Sequence, residues 1–86
     1  MDSNALERFQ RLYRNRHKYI RQYDRTTRIP RKDQSGIEDK DLFYLNRVLA
    51  PETNMRLFSP GKISKYELFL EVARQWEIFL EKKNDI

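Results

Sequence analysis

Residues 64–83, SKYELFLEVARQWEIFLEKK, decide how this chain folds. Ser64 followed three residues later by Glu67 is a capping box, in which the hydroxyl and the carboxylate each satisfy a free N–H of the first turn. A helix is predicted from there to about Lys83, and Lys82 and Lys83 suit the negative end of its dipole. Its apolar residues (Leu68, Phe69, Leu70, Val72, Ala73, Trp76, Phe79 and Leu80) cover about half the circumference, wider than one packing contact needs. Such a helix belongs at the centre of a small bundle, or docks on a partner as well. Glu67, Glu71, Glu77 and Glu81 lie opposite and make that side a poor surface for phosphates.

Working toward the N-terminus, residues 51–63 read as a structured loop with a short helical turn after Pro51. A second helix is expected over 37–50. Ser35 with Glu38 caps it, Glu38, Asp39 and Asp41 favour its positive dipole end, and Ala50-Pro51 ends it. Residues 26–36 form a polar connector. The residue before a proline is pushed out of the α region, so Ile29-Pro30 and the preceding Thr26 and Thr27 close the first helix. That helix is expected over 4–25, with Asn4 and Glu7 as its capping pattern. No strand, repeat or low-complexity tract is read. The expected fold is all-α: a single domain over residues 1–86, a small three-helix bundle with a long Arg-rich N-terminal helix ahead of a helix-loop-helix core at 37–83.

Charge is distributed unevenly. The 86 residues carry +5 overall, yet residues 8–32 hold ten Lys or Arg against one acid, Asp24, while residues 1–7 and 33–86 are each −2. At 100° per residue from Arg8, the side chains of Phe9, Leu12, Tyr13, Tyr19, Ile20 and Tyr23 fall between about 20° and 140°. Arg11, Arg14, Lys18, Arg21, Arg25 and Arg28 fall between about 200° and 300°, with only Arg16 on the apolar side. A row of cations at helical spacing repels itself by a few tenths of a kcal/mol per pair, and a merely solvated face interleaves acids. The row therefore points to a polyanion, with nucleic acid ahead of an acidic protein or a membrane surface. Tyr19 and Tyr23 are candidates for stacking on unpaired bases, or for packing against the other helices.

Other chemistries find little here. A chain this short buries only about 60% of its unfolded surface, and charged residues make up 36% of it. No Cys is present, so disulfides and zinc-finger patterns are excluded. His17 stands alone without a neighbouring ligand, and Glu38, Asp39 and Asp41 read as dipole charges rather than a cation site. Gly36 and Gly61 do not make a phosphate loop, and no nucleophile-base pair can be assembled. No enzyme activity, metal or cofactor is expected. No apolar run reaches the ~20 residues that cross a bilayer, and no secretory leader is expected.

Two resemblances follow from short motifs. RLYR at 11–14 contains Leu12-Tyr13-Arg14, a tripeptide found in small basic three-helix mitochondrial adaptors. The broader one spans residues 37–80, where IEDKDLFYLNRVLAPETN and PGKISKYELFLEVA occur in order. This half resembles the eighteenth protein of the bacterial-type small ribosomal subunit, especially its mitochondrial forms. The matching positions are Ile37, Lys40, Asp41, Leu42, Leu45 and Arg47 in the helix, and Ala50, Pro51 and Thr53 in the loop. Gly61 matches the turn, Ser64, Lys65 and Tyr66 the next helix start, and Leu70 and Ala73 its apolar stripe. The family's last helix is strongly basic, whereas this chain has VARQWEIF there, and Leu57 and Phe58 replace two arginines before the turn.

The resemblance implies a structural constituent of a small ribosomal subunit, bound to ribosomal RNA and neighbouring ribosomal proteins, in the mitochondrial matrix or alternatively the cytoplasm. The charge pattern assigns phosphate contacts to Arg11, Arg14, Lys18, Arg21, Arg25 and Arg28, extended by Arg31, Lys32, Arg56, Lys62 and Lys65. The alternative is a small α-helical interaction adaptor, such as an assembly or accessory subunit of a mitochondrial complex, with no nucleic-acid role.

Overall fold

The computed structural model describes residues 3–25 and 36–84. It is all-helical over those residues, with four helices: α1 (Ser3–Arg14), α2 (Arg16–Arg25), α3 (Asp39–Thr53) and α4 (Lys65–Asn84). The core is built from Phe9, Leu12, Tyr19, Ile37, Leu42, Leu45, Leu49, Leu68, Phe69, Val72, Ala73 and Trp76.

The breadth of the apolar surface on α4 has a structural reason. Leu68, Val72 and Gln75, at i, i+4 and i+7, form one buried stripe, and Gln75 bonds to Asn46 of α3. Tyr66, Phe69 and Trp76 form a second stripe that meets rings of the first two helices. Phe9 lies 5.9 Å from Phe69 and 6.1 Å from Trp76, and Tyr19 lies 5.3 Å from Phe69 and 5.8 Å from Tyr66, all tilted or edge-on. Tilted and edge-to-face rings at these separations add to the stabilisation that burial alone supplies. α4 thus serves two neighbours at once. Leu70 belongs to neither stripe: it is 38% exposed, so the place expected for it in the apolar stripe is corrected.

The first helix is two helices rather than one over 4–25. Asn15 breaks it, because its amide offers the backbone a competing partner. Its side chain donates to the Arg11 carbonyl at 3.1 Å, and its N–H turns back to the Leu12 carbonyl at 3.0 Å. Arg16, the cation on the apolar side of the predicted wheel, caps the same end. Its guanidinium donates to the Tyr13 carbonyl at 2.9 Å and stacks 4.2 Å above the Tyr13 ring. Asn4 does not precede this helix but lies in its first turn.

The start of α3 is also displaced. Ser35 lies outside the described residues, and the N-cap is Glu38, with the helix beginning at Asp39 rather than Ile37. Asp41 accepts the Glu38 N–H at 3.2 Å and faces Arg8 of α1 at 3.3 Å, so one buried carboxylate both caps α3 and ties α1 to it. The helix also runs past Ala50, through Pro51 to Thr53. Pro51 sits in the last turn, where it donates no hydrogen bond to the Arg47 carbonyl one turn back and the helix ends two residues later. The Thr53 hydroxyl donates to the Leu49 carbonyl at 2.8 Å, and Asn54 closes the helix in the left-handed region at φ 56. At α4 the Ser64 hydroxyl accepts the Glu67 N–H at 3.2 Å.

The segment between α3 and α4 is fastened from inside. Asn46 and Gln75 are both 0% exposed. Asn46 accepts the Phe58 N–H at 2.9 Å and donates to the Arg56 carbonyl at 3.1 Å, and Gln75 donates to the same carbonyl at 3.1 Å. Beyond it, Ser59-Pro60-Gly61-Lys62 is a tight turn with Pro second and Gly third. Gly61 adopts φ 84, which a side chain would resist, and the Lys62 N–H donates to the Ser59 carbonyl at 3.2 Å.

Three outcomes follow for stability. Replacing Asn46 and Gln75 together by Leu should still cost about 2 kcal/mol or more in chemical denaturation, because the Arg56 carbonyl and Phe58 N–H lose their partners. Ser64→Ala should cost about 1 kcal/mol by thermal melting, through the lost cap. The Tyr13 hydroxyl donates to Glu77 at 2.7 Å, and its pKa is raised by burial first and then by that hydrogen bond and the Glu77 charge, against a lowering by Arg16. The folded state therefore holds this proton longer than the unfolded chain. The stabilisation is complete below the ordinary tyrosine value of about 10 and is lost as pH climbs above it. Melting temperatures should fall more steeply on that alkaline side for the native chain than for Tyr13→Phe.

Candidate nucleic-acid interface

The cations expected to meet phosphate are placed as follows. Arg11 and Arg14 lie on α1, Lys18 and Arg21 on α2, and all four are exposed. Arg25 is the last residue of α2. Arg28, Arg31 and Lys32 lie outside the described residues. Arg56 and Lys62 are exposed in the segment between α3 and α4, and Lys65 is half-buried as the first residue of α4.

The four helical cations stay outside because their helices turn other residues inward. Ala5, Phe9 and Leu12 bury one side of α1, and Tyr19 does so on α2. The wheel drawn for one continuous helix does not apply across Asn15, so Arg11 and Arg14 form one pair and Lys18 and Arg21 another. The Tyr19–Tyr66 contact sets α2 beside the start of α4, where Lys65 lies.

Their electrostatics differ from those of Arg8. Arg8 is bound to buried Asp41, and Arg11 stands 3.8 Å from Glu7 across an exposed i,i+4 pair. Such a pair holds an arginine weakly. Among the described residues, Arg14, Lys18 and Arg21 have no carboxylate within ion-pair distance. Nothing therefore neutralises this outer face from within the described chain, and its field reaches about 8–10 Å at moderate salt.

Tyr19 is not available for base stacking. It is a core ring, packed edge-on against Tyr66 and Phe69. Arg56 lies 5.5 Å over the Phe58 ring while its carbonyl is held by Asn46 and Gln75, which leaves its guanidinium outward on a fixed backbone.

Among the described residues no cluster of three potential metal ligands occurs, and no helix is long and apolar enough to cross a membrane. The acids at the start of α3 are engaged locally: Asp41 with Arg8 and the Glu38 N–H, and Glu38 with Lys40 at 3.3 Å.

Two features escaped the sequence reading. Asn46 and Gln75 interrupt apolar stripes, and a polar residue in such a position is a signal for a buried partner. The other is a groove on the outer side of α3, between Phe43, Tyr44 and Arg47 and the turn at Pro60–Gly61. Its pattern, two aromatic residues between Lys40 and Arg47, lay within the helix expected over 37–50, but Phe43 and Tyr44 were given no role.

No protein-family model matches this chain, and no curated protein and no solved structure resembles it significantly.

Proposed function

We propose that this protein is a structural RNA-binding constituent of a small ribosomal subunit, seated against ribosomal RNA through the outer face of α1 and α2. The observation that carries the reading is that Arg14, Lys18 and Arg21 are exposed without carboxylate partners among the described residues, while Phe9, Leu12 and Tyr19 of the same helices are buried. Folding leaves these like charges exposed at the end of α1 and on α2, and a phosphate backbone neutralises them while releasing its own counterions. Contacts of this kind position a protein without reading sequence.

The finer assignment to a ribosome is supported by where the family-like residues fall. Ile37, Leu42, Leu45, Ala50 and Ala73 are buried, Gly61 makes the turn and Ser64 caps α4, while Leu70, matched to the same family stripe, is exposed. In this reading the basic surface moved from the last helix to the first, and α4 became a packing helix. Neighbouring ribosomal proteins supply the remaining contacts, in the mitochondrial matrix or alternatively the cytoplasm. The second reading, an interaction adaptor, is favoured by one specific observation. Leu57, Leu70 and Leu80 are 60%, 38% and 37% exposed, and these apolar side chains suit a protein partner.

RNA affinity measured against salt tests the proposal. Replacing Arg14, Lys18 and Arg21 together with Ala should flatten the log–log slope by about two units. An unchanged slope would remove α1 and α2 from the contact. Capture of protein partners that survives nuclease, without migration with ribosomal particles, would favour the adaptor.

A further inference from the structure

α3 lacks the polar outer face that a helix buried on one side ordinarily shows. Leu42, Leu45 and Leu49 enter the core. On the outer side, Lys40, Phe43, Tyr44 and Arg47 recur at i, i+3, i+4 and i+7 and so make one stripe. Two half-buried rings, each packed in part against the core, occupy its middle, with a cation at each end. The stripe forms one wall of an open groove of about 600 Å3, the Pro60–Gly61 turn forms the other, and Asp39 lines it as well.

Both walls are held in place. One is a helix, and the other is the closed Ser59–Lys62 turn, which follows the segment fixed by Asn46 and Gln75. No atom outside the immediate chain stands within 4 Å of where a Cβ on Gly61 would lie, so the turn leaves the space above it open.

The charges along the groove are unequal. Lys40 is paired with Glu38 at 3.3 Å and stands next to Asp39 in sequence, so that end is compensated. Arg47 is exposed and has no carboxylate partner among the described residues. The groove therefore has a cationic end, an aromatic middle and an acid at the start of the helix. A ligand that fits these three has an anionic group, a flat body and an N–H edge. An acidic peptide meets Arg47 but has no flat body for the rings and is repelled by Asp39. We propose that this groove holds one unpaired nucleotide of an RNA strand, with its base against Phe43 and Tyr44, its phosphate on Arg47, and its N–H edge toward Asp39. Aromatic side chains hold bases of any sequence by stacking, and a carboxylate adds preference for a base with donors. The proposal rests on the RNA-binding reading but uses different residues, so either can fail alone.

The test is an NMR titration of the isotope-labelled full chain with a mixed-sequence single-stranded RNA of about eight nucleotides. Parallel titrations use inorganic tripolyphosphate and a glutamate-rich peptide. RNA should move the resonances of Tyr44, Arg47 and Gly61, whereas tripolyphosphate should move chiefly those of residues 11–21. Tyr44→Leu keeps apolar bulk without the ring. It should melt near the native temperature and weaken RNA binding about 5- to 150-fold with the salt slope unchanged. Arg47→Ala should lower that slope by about 0.7. The groove assignment is overturned if these resonances stay still with RNA, if the peptide or tripolyphosphate moves them as well as RNA does, or if well-folded Tyr44→Leu binds normally. A flattened slope in the Arg14, Lys18 and Arg21 variant beside a silent groove sinks this inference alone. A responsive groove beside an unchanged slope sinks only the role of α1 and α2.

Discussion

Phe9 is fully buried, and its ring meets Tyr13 of its own helix and Phe69 and Trp76 of α4 at about 6 Å. In a domain of this size few side chains are large enough to reach across a helix interface, and Phe9 attaches α1 to α4 by burial while the Tyr13 hydroxyl adds a hydrogen bond to Glu77. Arg8, the preceding residue, pairs with Asp41 of α3. Two consecutive residues thus fasten α1 to both other parts of the bundle, one by burial and one by charge. With that side committed, Arg11 and Arg14 have nowhere to point but outward. The exposed cations are in this sense a consequence of the core.

The contact between α3 and α4 works differently. Its apolar residues supply attraction without direction, and the Asn46–Gln75 pair supplies the direction. Two amides buried in apolar surroundings are costly unless every polar atom is met. They meet each other and two main-chain groups of the neighbouring segment, so sliding one helix along the other would strand several partners at once. The same pair holds the main chain at Arg56 and Phe58, and so turns Leu57 outward between two fixed residues.

What the sequence made legible was helical type and capping. The Ser64 box starts α4 because cap and third residue are both present in a four-residue window. The broad apolar face of α4 was legible for the same reason, since its period is local. The break at Asn15 was not, because it depends on Asn15 and Arg16 choosing carbonyls of the preceding turn, and one continuous apolar stripe looked equally good. The start of α3 at Glu38 was obscured by competing acids, and the passage through Pro51 because the Thr53 and Asn54 contacts that close the helix lie beyond the proline. Of the candidate interface, exposure of the helical cations followed from amphipathicity. The groove beside α3 did not, because its second wall comes from residues some twenty positions further on.

The interruption at Asn15 has an energetic consequence for α2. A single long rod would rise and fall with α1, but a separate short helix is cooperative mainly within itself. Helices of this length are marginal without tertiary support, and among the described side chains of α2 only Tyr19 is buried. Among the described side chains, opening α2 withdraws Tyr19 and uncovers part of Phe69 and Tyr66 but leaves the contact between α3 and α4 in place, which places it toward the low end of the molecule's ladder of local unfolding energies. Any anion that gathers Lys18 and Arg21 would stabilise the closed form in proportion to its occupancy. Slowed amide exchange confined to this one segment would then report ligand binding.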